Sequence, residues 1–536
     1  MNSDERLGWD TNLEQFVNRQ VNNLVSRKLA HRHMRRGIQL LQSGLIENAT
    51  SHFFKAARSM AAAFDPCDAK DAAAIMENLT FLGVTHQRMN RHPEARRYFL
   101  QSAKLDPLRC SEMGGVAEYI VRHGTQEEIT EYFEREYKHD PKRSLAPFFM
   151  KVSEVFPRSV AQLETKLAQV TGLAESKPNL IIPVPVWGAK HVEMLLKYAV
   201  PNWLATGNFP ALSELYRIHV RIFCGHRDVS LIRDSAVMGK LATIAEIDFD
   251  PYEESLISWS DNHIARFQLF SYPHYVALEA ARRQQADVVF AFPDNFVNNG
   301  FYGTLGKLLR EDAGVVACQA FRLNAQDVLP SLDAKFRTAD GTIAIPSREM
   351  DTMLIDHLAD EWFADSDRMT QTPMIVCWRV GERGIIVRSS HFMPYGLQAK
   401  YISHALTPHI DPVDGLFLCR HYGALEKIIL IEDAKMRVFG AEAIAVMGNN
   451  DGSERTLDEY WFARFLQEYI TPLHRRYLAV PLRVGQEVDH ADFQTVQDES
   501  DRFVNSVLRL LDRFEARAPK RPRWVPPMSQ EMVDGH

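Results

Sequence analysis

Residues 178–188 are PNLIIPVPVWG, an apolar run that ends in a glycine turn. They mark a change in the composition and periodicity of the chain. Upstream of residue 175 the sequence is rich in Ala, Arg, Glu and Gln, with almost no β-branched runs, which indicates helix after helix. Downstream, apolar β-branched runs alternate with helical stretches, which is typical of an α/β sheet. The sequence therefore predicts an α + α/β protein.

The change in composition and periodicity near residue 175 sets the expected domain boundaries. We predict a helical repeat domain at 1–175, an α/β domain at 176–450, C-terminal helices at 451–517 and a disordered tail at 518–536. Two helices are expected near the end, at 458–478 and 498–518, and the second is amphipathic. Its apolar face predicts core packing, with the seam of a homodimer as the alternative.

Composition restricts the class of protein. The chain has 536 residues with 46% hydrophobic and 24% charged residues, so it reads as several globular domains. A net charge of −7 argues against nucleic acid as a partner, and no apolar run is long enough for a transmembrane segment. The first twenty residues do not have the pattern of a secretory signal.

The six cysteines form no CxxC pair, and four lie in apolar runs (RIFC, VVAC, MIVC and LFLC) that read as strands. This usage excludes a disulfide scaffold and predicts a cytoplasmic protein.

A spacing of 34 residues recurs in the helical part. In residues 76–107, MENLTFLGVTHQRMNRHPEARRYFLQSAKLDP, a small residue (Ala95) is followed by an aromatic (Phe99) and a helix-ending proline. One period later Ile129, Phe133 and Pro141 take the same positions. Over residues 33–142 the pattern resembles the tetratricopeptide repeat (TPR), and a generic helical bundle is the alternative. The resemblance implies a concave surface that binds a peptide or another protein.

Five strands are expected in the α/β part, at 180–187, 215–225, 241–250, 286–295 and 314–323. Helices between them predict a mostly parallel sheet, in which ligands bind outside the carboxyl ends of the strands. The residues that follow the runs are therefore the ones to consider: Pro185, Val186, Trp187, Gly188, Gly225, His226, Asp248, Asp250, Asp294, Asn295, Asn298 and Arg322.

Standard catalytic motifs are missing from the sequence. It contains no GxxxxGK[ST], no GxGxxG after a strand, no GxSxG and no HExxH. P-loop nucleotide hydrolysis, a Rossmann dehydrogenase, a serine hydrolase and a zincin all lose support.

The order of the remaining parts, over residues 178–325, resembles the GT-A domain of glycosyltransferases. The strongest piece is HYVALEAARRQQADVVFAFPDNFVNNG at 274–300, a helix and an apolar strand followed by an acid. The resemblance implies a nucleotide-sugar donor and a divalent cation, Mn²⁺ or Mg²⁺, held by Asp294 against the diphosphate. The family pattern is Asp-x-Asp, whereas Asp294 is followed here by Asn295 and Phe296. The alternative is that Asp294 and Asn295 cap a turn.

Other residues have predicted roles around the donor. Six are expected to bind it, and Trp187 would stack on the base unless it belongs to the core. The six are Pro185, Trp187, Asp248, Asn295, Asn298 and Arg322.

A second polar cluster follows RGIIVRSSHFMPYGL, read as a strand ending in His391, and includes His404, His409, Asp411 and Asp414. We expect Asp294, His391 and Asp411 to be catalytic, and Asp294, His391 and His409 to bind the cation. A polar loop shaped by prolines is the alternative.

Two functions are consistent with these patterns. The first is a cytoplasmic glycosyltransferase whose TPR-like array recruits a protein or other macromolecular acceptor. The second is a protein-binding scaffold that carries a non-catalytic sugar-nucleotide fold. Without an identified nucleophile, inversion and retention are equally open.

Overall fold

The computed structural model describes residues 25–64, 68–89, 91–140, 144–170, 177–367, 374–407, 412–432, 435–442, 456–467, 470–485 and 488–517. The chain forms two compact units, Met1–Phe149 and Met150–His536. This division lies upstream of residue 175, because the helix that crosses it contributes contacts to the second unit. Ser159 Oγ lies 2.8 Å from Tyr272 Oη, and Lys166 forms an ion pair with Asp248.

The first unit is helical throughout its described residues. Its helices are α1 (25–42), α2 (Ile46–Ala63), α3 (Ala69–Arg88), α4 (His92–Ala103), α5 (Pro107–Gly114), α6 (Val116–His123) and α7 (Gln126–His139), and α8 (Ala146–Val170) begins there. Local signals set several of these ends. Thr125 and Glu128 form a capping box at the start of α7, and Asp68 caps α3.

The same type of packing contact occurs in two successive helix pairs. In the pair α1 and α2, Gly37 lies against the ring of Phe53, and in the pair α3 and α4, Gly83 lies against the ring of Phe99. Each glycine precedes its phenylalanine by the same interval in the sequence, and both rings are fully buried. A glycine lets two helix backbones approach closely while the aromatic ring fills the remaining space. Paired helices with a repeated contact are therefore confirmed in this unit.

We expect Gly83→Ala to loosen this pair. A Cβ at Gly83 would lie 2.4 Å from Phe99 Cε1, and overpacking of this kind costs about 1–3 kcal/mol. Hydrogen exchange of residues 69–103 should become faster and the melting temperature should fall. Gly239→Ala is the matched control, because a Cβ there meets nothing within 4 Å and alanine favours the helix. Unchanged protection in α3 and α4 would contradict the packing described.

The second unit is built on three sheets. Their strands are β1 (Asn179–Pro185), β2 (Arg217–Gly225), β3 (Glu246–Tyr252), β4 (Asp287–Val289), β5 (Asn295–Val297), β6 (Val315–Cys318), β7 (Ala320–Asn324), β8 (Ile375–Val380), β9 (Gly384–Ser389), β10 (Met393–Gln398), β11 (Ile428–Leu430), β12 (Val438–Glu442) and β13 (Leu482–Val484). The main sheet has the order β11-β6-β10-β4-β1-β2-β3, and only β10 runs antiparallel to its neighbours among these described strands. The mostly parallel sheet is confirmed.

The remaining described strands form two smaller sheets. One has the order β5-β12-β7 and the other the order β13-β9-β8.

The helices of the second unit include α9 (Ala189–Met194), which continues through a π-helical turn (Leu195–Ala199) into α10 (Val200–Trp203), then α11 (Phe209–Leu215), α12 (Asp228–Arg233), α13 (Ala236–Leu241), α14 (Glu254–Ile257), α15 (His263–Gln284), α16 (Phe301–Arg310), α17 (Ala325–Ser331), α18 (Ser347–His357), α19 (Gly415–His421), α20 (Glu459–Gln467), α21 (Pro472–Ala479) and α22 (His490–Arg517). The long helix α15 packs against β1, so the predicted first strand and its helical cover form the centre of the unit.

Several element predictions differ from the structure. The expected strand at 286–295 is interrupted after β4 (Asp287–Val289), and the expected strand at 241–250 begins only at Glu246. The expected strand at 314–323 is divided, because its first half pairs with β10 and β11 and its second half with β12. The run LFLC lies in α19, since the Asp414 carboxylate accepts hydrogen bonds from the backbone N–H groups of Leu416 and Phe417 and starts a helix. The expected helix 458–478 ends before Thr471, which caps a new helix that begins at Pro472.

The apolar face of the C-terminal helix α22 packs into a hydrophobic core with strands β8 and β9. Val507 and Leu511 are buried in one cluster with Trp378 of β8 and Ile386 of β9. Core packing is therefore confirmed, and the homodimer stays a prediction. Among the described helices, none combines the length and apolar character needed to cross a membrane.

Candidate functional site

The chain reverses its direction of travel across the main sheet at β1. It adds β2 and β3 on one side of β1 and then returns to place β4 on the other side. Both neighbours of β1 are parallel to it, so the three strands end at the same edge. In open α/β sheets the crevice beyond such a reversal is where ligands bind.

The exit of β1 carries an aromatic ring and two basic residues. Trp187 is half-buried and meets Tyr252, at the end of β3, edge to face at 5.9 Å. Gly188 then turns the chain with φ of 81°, a value that favours glycine. Lys190 and His191 follow in the first turn of α9, and both are exposed. This exit therefore presents positive side chains to solvent.

The exit of β4 carries Asp294. The chain leaves β4 at Val289 and turns at Pro293 and Asp294, and the Asp294 carbonyl accepts a hydrogen bond from Ala441 N at 2.9 Å. Burial raises the pKa of the Asp294 carboxyl above its ordinary value. Its own backbone N–H and the charges of His191, Arg322 and Lys190 act in the opposite direction. The carboxyl thus shares its surroundings with three basic side chains.

Arg322 is placed near Asp294 by the sheet of β5, β12 and β7. In the three-stranded sheet, Gly440 of β12 pairs with Asn295 of β5 on one side and with Arg322 of β7 on the other. Gly440 has no side chain, so the space between Asn295 and Arg322 is not filled from the middle strand. Asn295 itself donates a hydrogen bond from Nδ2 to Tyr395 Oη at 2.7 Å.

His391 belongs to the same neighbourhood. It lies between β9 and β10, and its Nε2 is 3.2 Å from Met393 Sδ. Burial lowers the pKa of His391; Asp414 raises it and Arg322 lowers it further. Because Arg322 acts on both His391 and Asp294, the structure brings these three predicted site residues together.

Asp414 and His474 extend the cluster. Asp414 belongs to the polar cluster predicted from the sequence but had no role assigned, and His474 was not predicted. The His474 side chain is buried, with its Nδ1 3.2 Å from the backbone N of Thr471, which donates to it. Burial lowers the pKa of His474 to about 4, with Asp414 opposing and His391 reinforcing the shift. Gly415 lies against the His474 ring, where a Cβ would come 2.8 Å from Nε2. His391, Asp414 and His474 therefore interact electrostatically.

Other predicted residues lie elsewhere or are occupied by protein contacts. Asp248 sits inside β3, paired with Lys166 and near Arg221. Asn298 is fully buried, donates to Ser347 Oγ and accepts from Arg437 N, so its contacts are structural. Pro185 is buried at the end of β1. The predicted donor contacts of all three stay predictions.

His409 and Asp411 lie outside the described residues. Within the described ranges, no three His, Cys, Asp or Glu side chains converge as metal ligands would. Asp294 brings one carboxylate, and its nearest charges are positive. This donor set does not fit a Mg²⁺ or Mn²⁺ shell, which needs several oxygen ligands. The cation stays a prediction, and no step below is drawn through it.

A cavity of about 540 Å³ lies apart from these strand ends, beside α10 and α13. Its charged lining residues are Lys197, Lys240, Asp333 and Arg337. Asp333 lies 2.6 Å from Arg337 and 3.8 Å from Lys197.

Comparison with known proteins adds no family. No protein-family model matches the chain, and a search of curated proteins finds no significant match.

Lys190 and His191 could have been found from the sequence, because they follow the predicted turn after β1 directly. His474 could not, since it lies far along the chain in a helix and reaches His391 only through the tertiary fold.

We expect the second unit to lose stability as the pH falls from about 6.5 to about 4. An unfolded histidine takes up its proton near pH 6.5, whereas folded His474 does so near 4, so acid favours the unfolded chain. The loss from this residue is on the order of 3 kcal/mol. Melting temperatures measured from pH 7 to pH 4 check it.

His474→Gln should make this pH dependence shallower, although it weakens the start of α21. His490→Gln, at an exposed position of α22, should leave the dependence as in the wild type. Equal slopes in the wild type and His474→Gln would contradict the assignment.

Proposed function

We propose that the second unit is a glycosyltransferase that takes a sugar from a nucleotide-sugar donor. The observation that carries the proposal is the convergence of Asp294, Arg322 and His391 where β1 and β4 end. These side chains come from three separate segments, and ligands of open α/β sheets bind at this place. The order of parts is also the one on which the resemblance to GT-A domains rests.

Each group has a proposed task in the reaction. Trp187, half-buried at the exit of β1, offers a ring on which the base can stack. Asp294 orients the donor. His391 has a lowered pKa, so its imidazole is neutral near pH 7 and can accept a proton from the acceptor hydroxyl. Asp414 then favours the imidazolium that forms.

The bonds change in a simple way. The acceptor oxygen forms a bond to the anomeric carbon while the bond from that carbon to the diphosphate oxygen breaks. The bonding electrons leave with the nucleoside diphosphate, and the acceptor proton passes to His391.

The first unit is proposed to recruit the acceptor. Its paired helices support the TPR-like interpretation, although the two Gly–Phe contacts recur after 46 residues rather than 34. A groove of about 440 Å³ on its surface is lined by Phe54, Lys55, Arg58 and Arg91, among others. An exposed aromatic ring beside basic side chains suits a protein segment that carries acidic groups. We further propose that the protein works in the cytoplasm, since the five described cysteines are all free.

A second candidate is a protein-binding scaffold with a non-catalytic α/β unit. The single carboxylate at Asp294, where Asp-x-Asp is the family pattern, favours it. Thermal-shift assays with UDP, GDP, CDP and CMP, with and without Mn²⁺, separate the two. A nucleotide at 100 times its Kd adds about 2.7 kcal/mol of stability to an enzyme that binds it. No shift with any of them would favour the scaffold.

Asp294→Asn is expected to remove donor turnover and leave the fold intact. Loss of a charge that orients the reacting group lowers the rate by a few orders of magnitude, whereas loss of a cap costs about 0.5–2 kcal/mol of stability. Hydrolysis of nucleotide sugars and the melting temperature measure the two effects. Asp356→Asn, exposed on α18, is the matched control. Wild-type turnover in Asp294→Asn would refute the catalytic role.

The double variant Arg58→Ala and Arg91→Ala should reduce sugar transfer to macromolecules about tenfold or more, because two charged contacts are lost. Donor hydrolysis should not change. The measurement is incorporation of radiolabelled sugar into protein, with Arg135→Ala on α7 as the control. Equal incorporation by the variant and the wild type would show that this groove does not recruit the acceptor.

A further inference from the structure

We propose that Lys190, His191 and Arg322 bind the diphosphate of the donor directly and compensate the leaving-group charge that a divalent cation was expected to carry. The inference rests on the proposed function, because it concerns the same site. It follows from the kind of charge that surrounds Asp294 and from the elements that place it there.

Two of the three side chains are fixed by the exit of β1. The strand is buried and straight up to Pro185, and Val186 N still donates to Phe223 O of β2 at 2.8 Å. The turn at Gly188 then starts α9, whose first turn carries Lys190 and His191. Both side chains are exposed, and both act on the carboxyl of Asp294. They therefore reach the crevice from the β1 side.

Arg322 reaches the crevice from the opposite direction. It is exposed and lies two strands from Asn295 across the β5-β12-β7 sheet, a separation of about 9.6 Å. The row between them is occupied by Gly440, so a long side chain can lean across it. Arg322 influences Asp294 on one side and His391 on the other. A phosphate at Asp294 would thus lie between basic groups from two elements.

The balance of charge favours an anion. The charges that act on Asp294 among the described residues are those of Lys190, His191 and Arg322. Lys190 and Arg322 are cationic at neutral pH, and His191 supplies a further N–H donor. A divalent cation placed here would be repelled by the neighbouring positive charges. A diphosphate carries at least two negative charges, and the planar guanidinium of Arg322 can hold two phosphate oxygens at once.

This arrangement has a consequence for the chemical step. When the bond between the anomeric carbon and the diphosphate oxygen breaks, its electron pair remains on that oxygen. Lys190 and Arg322 already lie where this negative charge develops, so they stabilise the departing nucleoside diphosphate. Asp294 holds the basic side chains in place before the donor binds.

Calorimetric titration of the full-length protein with inorganic pyrophosphate tests the proposal. We expect binding in EDTA, with a Kd that changes less than about threefold when Mn²⁺ replaces EDTA. Arg322→Gln and Lys190→Met should each weaken binding about tenfold or more, since each removes a charge-assisted contact. Arg502→Gln, exposed on α22, is the control and should bind as the wild type does. All three substituted side chains are exposed, and circular dichroism checks that each variant is folded.

Three results would overturn the inference: binding that requires Mn²⁺, binding that neither variant weakens, or no binding in either buffer. The proposed function is judged separately, by turnover of nucleotide sugars. Turnover together with Mn²⁺-dependent pyrophosphate binding would keep the transferase and reject the cationic site. Metal-free, variant-sensitive binding without turnover would keep the anion site and reject the transferase.

Discussion

Parallel pairing of β1 on both of its edges is the constraint on which the candidate site depends. On one edge, β1 pairs with β2 without interruption, from Asn179 opposite Arg217 to Pro185 opposite Phe223. On the other edge, Leu180 pairs with Asp287 of β4. The strand is an almost unbroken run of buried apolar side chains, each worth about 1.5–3 kcal/mol when fully buried. A strand held in this way leaves no freedom in where its carboxyl end emerges. The turns at Gly188 and Asp294 both lie beyond the carboxyl ends of these two strands.

The second requirement is that the chain leaves the main sheet between β6 and β7. This change of sheet carries Arg322 into the row with Gly440 and Asn295, and so toward Asp294. The charges of the site are in place without a ligand, which is the condition for efficient electrostatic stabilisation of a developing charge. His391 and Asp414, on the other side of Arg322, add a neutral base with an acid beside it. In the proposed reaction, Arg322 binds the donor and acts electrostatically on the proton acceptor His391.

The sequence predicted the parts of the fold that depend on local pattern. The change of composition near residue 175, the buried run of β1 and the paired helices around Phe99 follow from composition and spacing, which local interactions determine. It missed the division of 314–323, because an apolar run does not show which sheet each half will join. It also read LFLC as a strand, since four apolar residues fit either element until the cap at Asp414 decides.

The candidate site, too, could be predicted from the sequence only in part. Asp294, Arg322 and His391 each follow an apolar run and could be selected from the sequence. Their convergence, and the presence of His474 beside them, depend on contacts between distant segments that periodicity does not encode. The sequence also did not show that the buried amide of Asn298 forms hydrogen bonds with Ser347, Lys435 and Arg437, and its donor contact stays a prediction.

The most direct test of this account is the location of a bound nucleoside diphosphate in crystals of the full-length protein. The account predicts density for the diphosphate beyond the carboxyl ends of β1 and β4, within hydrogen-bond distance of Arg322 and Lys190. Density in the cavity beside Lys197 and Arg337, with the crevice at Asp294 unchanged, would contradict it.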